Sequence, residues 1–197
     1  MAKLILLVGP TCSGKTTLEK MLNSMGVPSV ISYTTRDKRS GEVEGVDYYF
    51  VTRDQVKAHE DAGLVIQKVE FAGNLYGSTA GSLKEAFRNS NVAVMVVEPT
   101  GVAQFMDYAA RTGMFEVVSL YVGGDWTTLC DRLIARYNTD KNARDDYYWQ
   151  RFTQMSQAYH EWPTYIAYTD RIASIDDRDP WRSTHTWALR ILDTYCR

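Results

Sequence analysis

The chain lacks any excess of basic charge, any long apolar run and any cluster of metal-binding side chains, and each shortage excludes a class of function. With 22 Lys and Arg against 24 Asp and Glu, its net charge is −2 and its pI about 5.9. No overall basic field is available to hold nucleic acid or an anionic membrane, so any polyanion it binds is expected to be small. The apolar runs LILLV (Leu4–Val8) and VAVMVV (Val92–Val97) are too short to span a bilayer, and MAKLILLVGP leads into a motif instead of a cleavage site. These features predict a soluble, cytoplasmic protein. Cys12, Cys130 and Cys196 are an odd number at wide spacing, and His59, His160 and His185 are equally scattered, which predicts free thiols and no metal cage. What is present is a chain of 197 residues, 45% hydrophobic and 12% aromatic, enough to bury one full core.

Apolar runs at Lys3–Val8, Val92–Val97 and Val117–Val122, with a weaker one at Ile172–Ile175, read as strands buried on both faces. Helices are expected after Lys15 and at Thr52–Asp61, Thr79–Arg88, Thr100–Arg111, Asp125–Tyr137, Asp146–Glu161 and Pro180–Tyr195. Thr52 with Gln55 three residues on predicts a capping box. This alternation predicts an α/β fold, a parallel sheet with helices on both faces. Residues 32–78 interrupt it with short strand-like pieces, DYYFV and LVIQKVEF, as an inserted subdomain would. Residues 138–146 are polar and aperiodic, as in a mobile loop. The expected core is then 1–31, 79–137 and 147–197 of a single domain.

After the first strand comes GPTCSGKTT: Gly9, Pro10, Thr11, Cys12, Ser13, Gly14, Lys15, Thr16 and Thr17. It fits the phosphate-binding loop G-x-x-x-x-G-K-[ST] at every fixed position, between strand and helix as the motif requires. Backbone N–H groups and the helix N-terminus would face a phosphate, Lys15 would add charge, and Thr16 would offer a hydroxyl to Mg²⁺. ATP is the expected donor. Such a loop does not distinguish a kinase from a GTPase, a motor or a scaffold. Arg36 and Arg39, with Tyr48 nearby, suit a second phosphate, although they could equally form a solvated charged loop.

The run S-x-T-T-R-x-x-R-x-G-E-V-x-G-x-D-Y-x-F from Ser32 to Phe50, FAGNLYGS from Phe71 to Ser78, and the phosphate loop together resemble the guanylate kinase family. The resemblance is dense over residues 3–102 and looser beyond, where RLIAR at 132–136 and Arg151 are similar to the family's lid arginines. It implies the P-loop nucleoside monophosphate kinase fold, with a core, an acceptor-binding subdomain at 32–78 and a lid at 138–146. It further implies that Arg36, Arg39, Tyr48 and Tyr76 hold the acceptor's monophosphate, that Ser32, Gln67 and Ser78 lie at its base with Glu42 and Glu98 nearby, and that Lys15, Arg136 and Arg151 act on the transferring group. The aromatics of Asp145–Arg151 (DDYYWQR) are expected to pack.

Two positions depart from the family pattern. Gln67 stands where guanylate kinases usually place a glutamate that accepts from guanine N1–H and the 2-amino group, and an amide offers one acceptor and one donor. Val96 and Glu98 stand where the family often has two aspartates. The sequence therefore points to a kinase of a (deoxy)nucleoside 5′-monophosphate whose base is non-guanine or modified. An ordinary guanylate kinase, a ribose bisphosphate phosphokinase and a non-catalytic interaction module are the alternatives, and the oligomeric state is not legible. Along the strand-like run, Val65, Gln67, Val69 and Phe71 are expected on one face, with Ile66, Lys68 and Glu70 on the other.

Overall fold

A computed structural model of the chain describes residues 1–39, 41–71, 73–139, 145–165, 170–172 and 179–196. The expected lid falls largely outside them, at 140–144, as does the part of the expected last strand beyond Ile172.

The apolar runs become the strands β1 (Ala2–Val8), β6 (Val92–Val96) and β7 (Phe115–Val122). Together with the short β8 (Asp170–Ile172) they form a sheet in the order β6-β1-β7-β8, with every pairing parallel. β1 is central, so both of its faces must be covered, and its alternation divides the core. Ile5 and Leu7 pack with Leu18 and Leu22 of α1 (Lys15–Ser24) and with Ala188 and Ile191 of α8 (Pro180–Tyr195). Leu4, Leu6 and Val8 pack with Leu83 of α3 (Ala80–Ala86) and with Val102 and Phe105 of α4 (Pro99–Thr112). An all-apolar strand is what a position with helices on both sides demands.

A second sheet has the order β3-β2-β5-β4, built from β2 (Tyr33–Thr34), β3 (Tyr49–Phe50), β4 (Val65–Phe71) and β5 (Asn74–Thr79). Before β4 comes α2 (Arg53–Asp61), which opens with the expected Thr52–Gln55 capping box. The strict alternation expected along β4 fails at its start. A β-bulge between Val65 and Gln67 shifts the register and sets Ile66 against the core, while Lys68 and Glu70 stay exposed. Beyond β7, α5 (Trp126–Thr139) and α6 (Asp145–His160) bury Leu129, Leu133, Tyr148 and Met155 between them, and α7 (Trp162–Tyr165) follows. No helix among the described residues is long and apolar enough to cross a membrane.

Candidate functional site

The phosphate-binding loop leaves the carboxyl end of β1 and runs directly into α1. Gly9 has to be glycine, because a Cβ there would lie 2.1 Å from the carbonyl oxygen of Val122 at the end of β7. Gly14 caps α1, no side chain caps it, and its first turn holds no acidic residue. The helix's unpaired N–H groups and positive dipole end are thus left to the loop, which is what an anion requires. Lys15 folds back under the loop, its Nζ donating to Gly9 O at 2.8 Å and to Pro10 O at 2.6 Å. Burial pushes its pKa down to about 8; the Cys12 and Glu98 side chains pull it up and Arg151 presses it further down. Thr16 and Thr17 stand exposed in the first helical turn, and the Ser13 hydroxyl is buried without a hydrogen-bond partner among the described residues. Arg132 ties α5 to the loop through Nη1 to Cys12 O at 3.0 Å. Arg136 is exposed, yet close enough for its charge to lower the pKa of the Cys12 thiol, which burial raises overall.

Across the opening, Arg36 is held as a fork by Glu42, with Nη1 to Oε2 at 2.7 Å and Nη2 to Oε1 at 2.5 Å. The same carboxylate accepts from the Arg39 backbone N–H at 2.9 Å. The hydrogen bond from Arg36 holds the Glu42 carboxyl below its ordinary range. The Arg36 guanidinium lies 5.1 Å from the Tyr48 ring centre, and Tyr48 meets Tyr76 edge-on at 6.1 Å. Arg39 is exposed and reaches Tyr147 of α6, whose hydroxyl also accepts from Arg151. A phosphate and a tyrosine ring can thus share each of these cations.

Between the loop and these arginines lies a cavity of about 210 Å³, lined among others by Gly9, Thr11, Lys15, Ser32, Tyr48, Gln67, Tyr76, Glu98, Arg151, Gln154 and Trp162. Gln67 is 5% exposed, and Gly101 at the start of α4 leaves room for its stem, since a Cβ there would meet Gln67 Cγ at 3.4 Å. Gln67 lines the cavity and its side chain makes no hydrogen bond among the described residues, so its amide has both a donor and an acceptor to offer. Glu98 occupies the N-cap position of α4 without capping it; its carboxylate instead accepts from Gln154 Nε2. Burial raises the Glu98 pKa against the pull of Arg151 and Lys15. Ser78 is buried below, its hydroxyl on Met95 Sδ at 3.6 Å.

Of the residues expected from sequence, Gly9, Thr11, Lys15, Ser32, Tyr48, Gln67, Tyr76, Glu98 and Arg151 line one cavity. The rest of the loop, Ser78, Arg36, Arg39, Glu42 and Arg136 do not line it, although Arg36 lies against the ring of the lining residue Tyr48. Gln154, Trp162 and the contacts of Tyr147 went unread. Gln154 follows Arg151 by three positions, one helical turn, and that spacing was the available signal. Among the described residues no three His, Cys, Asp or Glu gather as a metal nest. The donor set of the Thr16 hydroxyl near a phosphate loop fits Mg²⁺, which takes few protein ligands and fills its shell from phosphates and water.

Comparison with known proteins follows the same outline. The family model for guanylate kinase matches residues 1–172. A guanylate kinase of Sus scrofa is 40% identical over 101 residues, 50% of this chain and 51% of the relative. One of Cereibacter sphaeroides is 35% identical over 122 residues, 60% of this chain and 56% of the relative. The chain thus spans about half the length of the curated relatives it matches. In three dimensions the crystal structure of guanylate kinase from Anaplasma phagocytophilum superposes with a TM-score of 0.64 at 24% identity, covering 98% of this chain and 82% of that one, a likeness of fold. Because the match begins at the first strand and runs through both sheets and α6, the chain belongs to the guanylate kinase family.

Proposed function

We propose that the chain is a nucleoside monophosphate kinase that transfers the ATP γ-phosphoryl group to a (deoxy)nucleoside 5′-monophosphate carrying a base other than guanine. The kinase reading rests on the loop Gly9–Thr17, whose Gly9, Thr11 and Lys15 line one cavity with Tyr48, Tyr76 and Arg151, and on Arg36 and Arg39, which contact Tyr48 and Tyr147 beside it. An acceptor phosphate oxygen attacks Pγ, the bond from Pγ to the β,γ-bridging oxygen breaks, and ADP leaves. A phosphate monoester is mostly dianionic near pH 7, with a second pKa of about 6, so no general base is needed. The work left to the protein is alignment and charge neutralisation, which Lys15, Arg136 and Arg151 supply. The Thr16 hydroxyl would help hold Mg²⁺, which would supply charge neutralisation on the donor phosphates. The division into a core, an acceptor subdomain at 32–78 and a lid at 138–146 belongs to this proposal.

The base reading is carried by one observation, the Gln67 side chain, which lines the cavity without a hydrogen bond to another described residue. A bound base would strip water from this amide, and leaving it unpaired would then cost roughly 1–3 kcal/mol, so a base edge that offers an acceptor beside a donor is favoured. Guanine presents two donors there, and one of them would face the amide N–H. 2,6-Diaminopurine, with its 2-amino donor beside an N1 acceptor, is the purine that matches without shifting. The second reading, an ordinary guanylate kinase, is favoured by the names of the relatives. ADP release from Mg-ATP with a panel of ribo- and deoxynucleoside monophosphates separates the two. The expected result is preference for a non-guanine acceptor, with Gln67→Glu shifting preference toward guanine by about tenfold, the size of one charge-assisted hydrogen bond. Highest turnover on GMP or dGMP, unchanged by Gln67→Glu, would sink the base assignment and leave the kinase.

A further inference from the structure

Resting on the kinase reading, we propose that Tyr147 is a positioning residue that joins Arg39 of the acceptor loop to Arg151 of α6, so that the two cations act as one unit. The phenol oxygen accepts from Arg151 Nε at 3.0 Å and Nη2 at 2.7 Å, and from Arg39 Nη2 at a looser 3.4 Å. Both guanidinia also lie over its ring, 5.1 Å and 5.8 Å from the centroid. Two like charges converging on one side chain repel unless something negative lies between them, and a hydroxyl lone pair with the ring's electron-rich face supplies it.

The contact with Arg151 is a single turn of α6, but the contact with Arg39 spans 108 positions of sequence, so it is no property of the helix. Burial pushes the phenol's pKa up, yet the two arginines more than offset it and leave it below the ordinary tyrosine value. One turn beyond Arg151 on α6, Gln154 holds Glu98 at the cavity wall. The helix therefore carries one side chain to the acceptor loop, one into the cavity and one to the carboxyl end of β6. The tight grip fixes Arg151, while the loose one lets Arg39 swing onto an acceptor phosphate without losing its register to Arg151.

Tyr147→Phe keeps the ring and removes the oxygen. With Mg-ATP and the best acceptor of the panel, kcat is expected to fall about tenfold and the acceptor KM to rise about threefold, while the ATP KM stays within twofold. In an Arg39→Met background the same change should cost less than half as much, because the two residues share one interaction. Unchanged kcat and acceptor KM in Tyr147→Phe, or losses that simply multiply in the double variant, would overturn the proposal. A second readout needs no turnover: the Arg151 Nε–H resonance, identified by its loss in Arg151→Lys, is expected to shift in Tyr147→Phe and also in Arg39→Met. Its indifference to Arg39→Met overturns the shared clamp, whereas an intact response in a wild-type chain that releases no ADP overturns only the kinase reading.

Discussion

Lys15 is the side chain whose charge depends on what fills the loop. Half-buried and donating to two backbone carbonyls, it has its pKa pushed down by desolvation to about 8 from an ordinary 10.5. Between those values the unfolded chain holds the proton and the folded one has released it, so folding stability rises with pH from about 8 toward 10.5. Nucleotide binding has the opposite sign. An anion favours the protonated lysine and raises its pKa, so binding above about pH 8 takes up a proton and weakens as pH rises, by up to tenfold per unit. Calorimetric titration of Mg-ATP in two buffers of different ionisation enthalpy should show that uptake at pH 9 and none at pH 6.5. A flat affinity from pH 7 to 10 would contradict it. Around Lys15 the sequence was legible, since the loop is contiguous and its glycines, lysine and threonine each answer to one local demand. The spacing of Gln154 from Arg151 marks only a shared helix face; the contacts of Gln154 and Tyr147 were not legible, because their partners Glu98 and Arg39 lie on other elements.

Among the elements, legibility followed burial. β1, β6 and β7 stood out as apolar runs because helices cover both of their faces. β5, Asn-Leu-Tyr-Gly-Ser-Thr, has poor intrinsic strand propensity and is held by partners on either side, β4 and β2, that no local pattern reveals. The bulge that redirects Ile66 also had no local signature, since an inserted residue breaks the period it would be read from. The tightest point of this sheet is Gly77, where a Cβ would stand 2.3 Å from the Gln67 carbonyl oxygen and 2.3 Å from the Tyr33 hydroxyl. Neither can retreat cheaply: the carbonyl is strand backbone and Tyr33 is 2% exposed. Gly77→Ala is therefore expected to cost about 1–3 kcal/mol of overpacking, lowering Tm by roughly 2–4 °C per kcal/mol. The displaced strand also carries Tyr76, so acceptor binding should weaken alongside. A Tm within 1 °C of wild type would show that the sheet yields more easily than this packing implies.

On the scale of the whole molecule, the site lies between parts of unequal strength. The phosphate loop hangs from a sheet whose middle strand is sealed, with Leu4 to Val8 at 0% exposure. Much of the proposed acceptor side hangs from a sheet in which β2 and β3 have two residues each and only β5 and β4, of six and seven, are longer, and its edge strand β3 is only half-buried. Opening β3 need expose neither of the two large apolar clusters, whereas opening β1 exposes both. Exchange of backbone amides with deuterated water should therefore fall into two groups. Tyr49 and Val51, whose N–H groups bond to Ser32 O and Thr34 O across β2 and β3, are expected to exchange at least a hundredfold faster than Ile5 and Leu6. A nucleoside monophosphate gripping Arg36, Arg39 and Tyr48 would stabilise the weaker sheet and slow the fast group, leaving the slow group governed by global unfolding. If all four amides exchanged together, the two sheets would open as one unit. The alignment of acceptor and donor would then be fixed by the fold itself, instead of being completed when the acceptor binds.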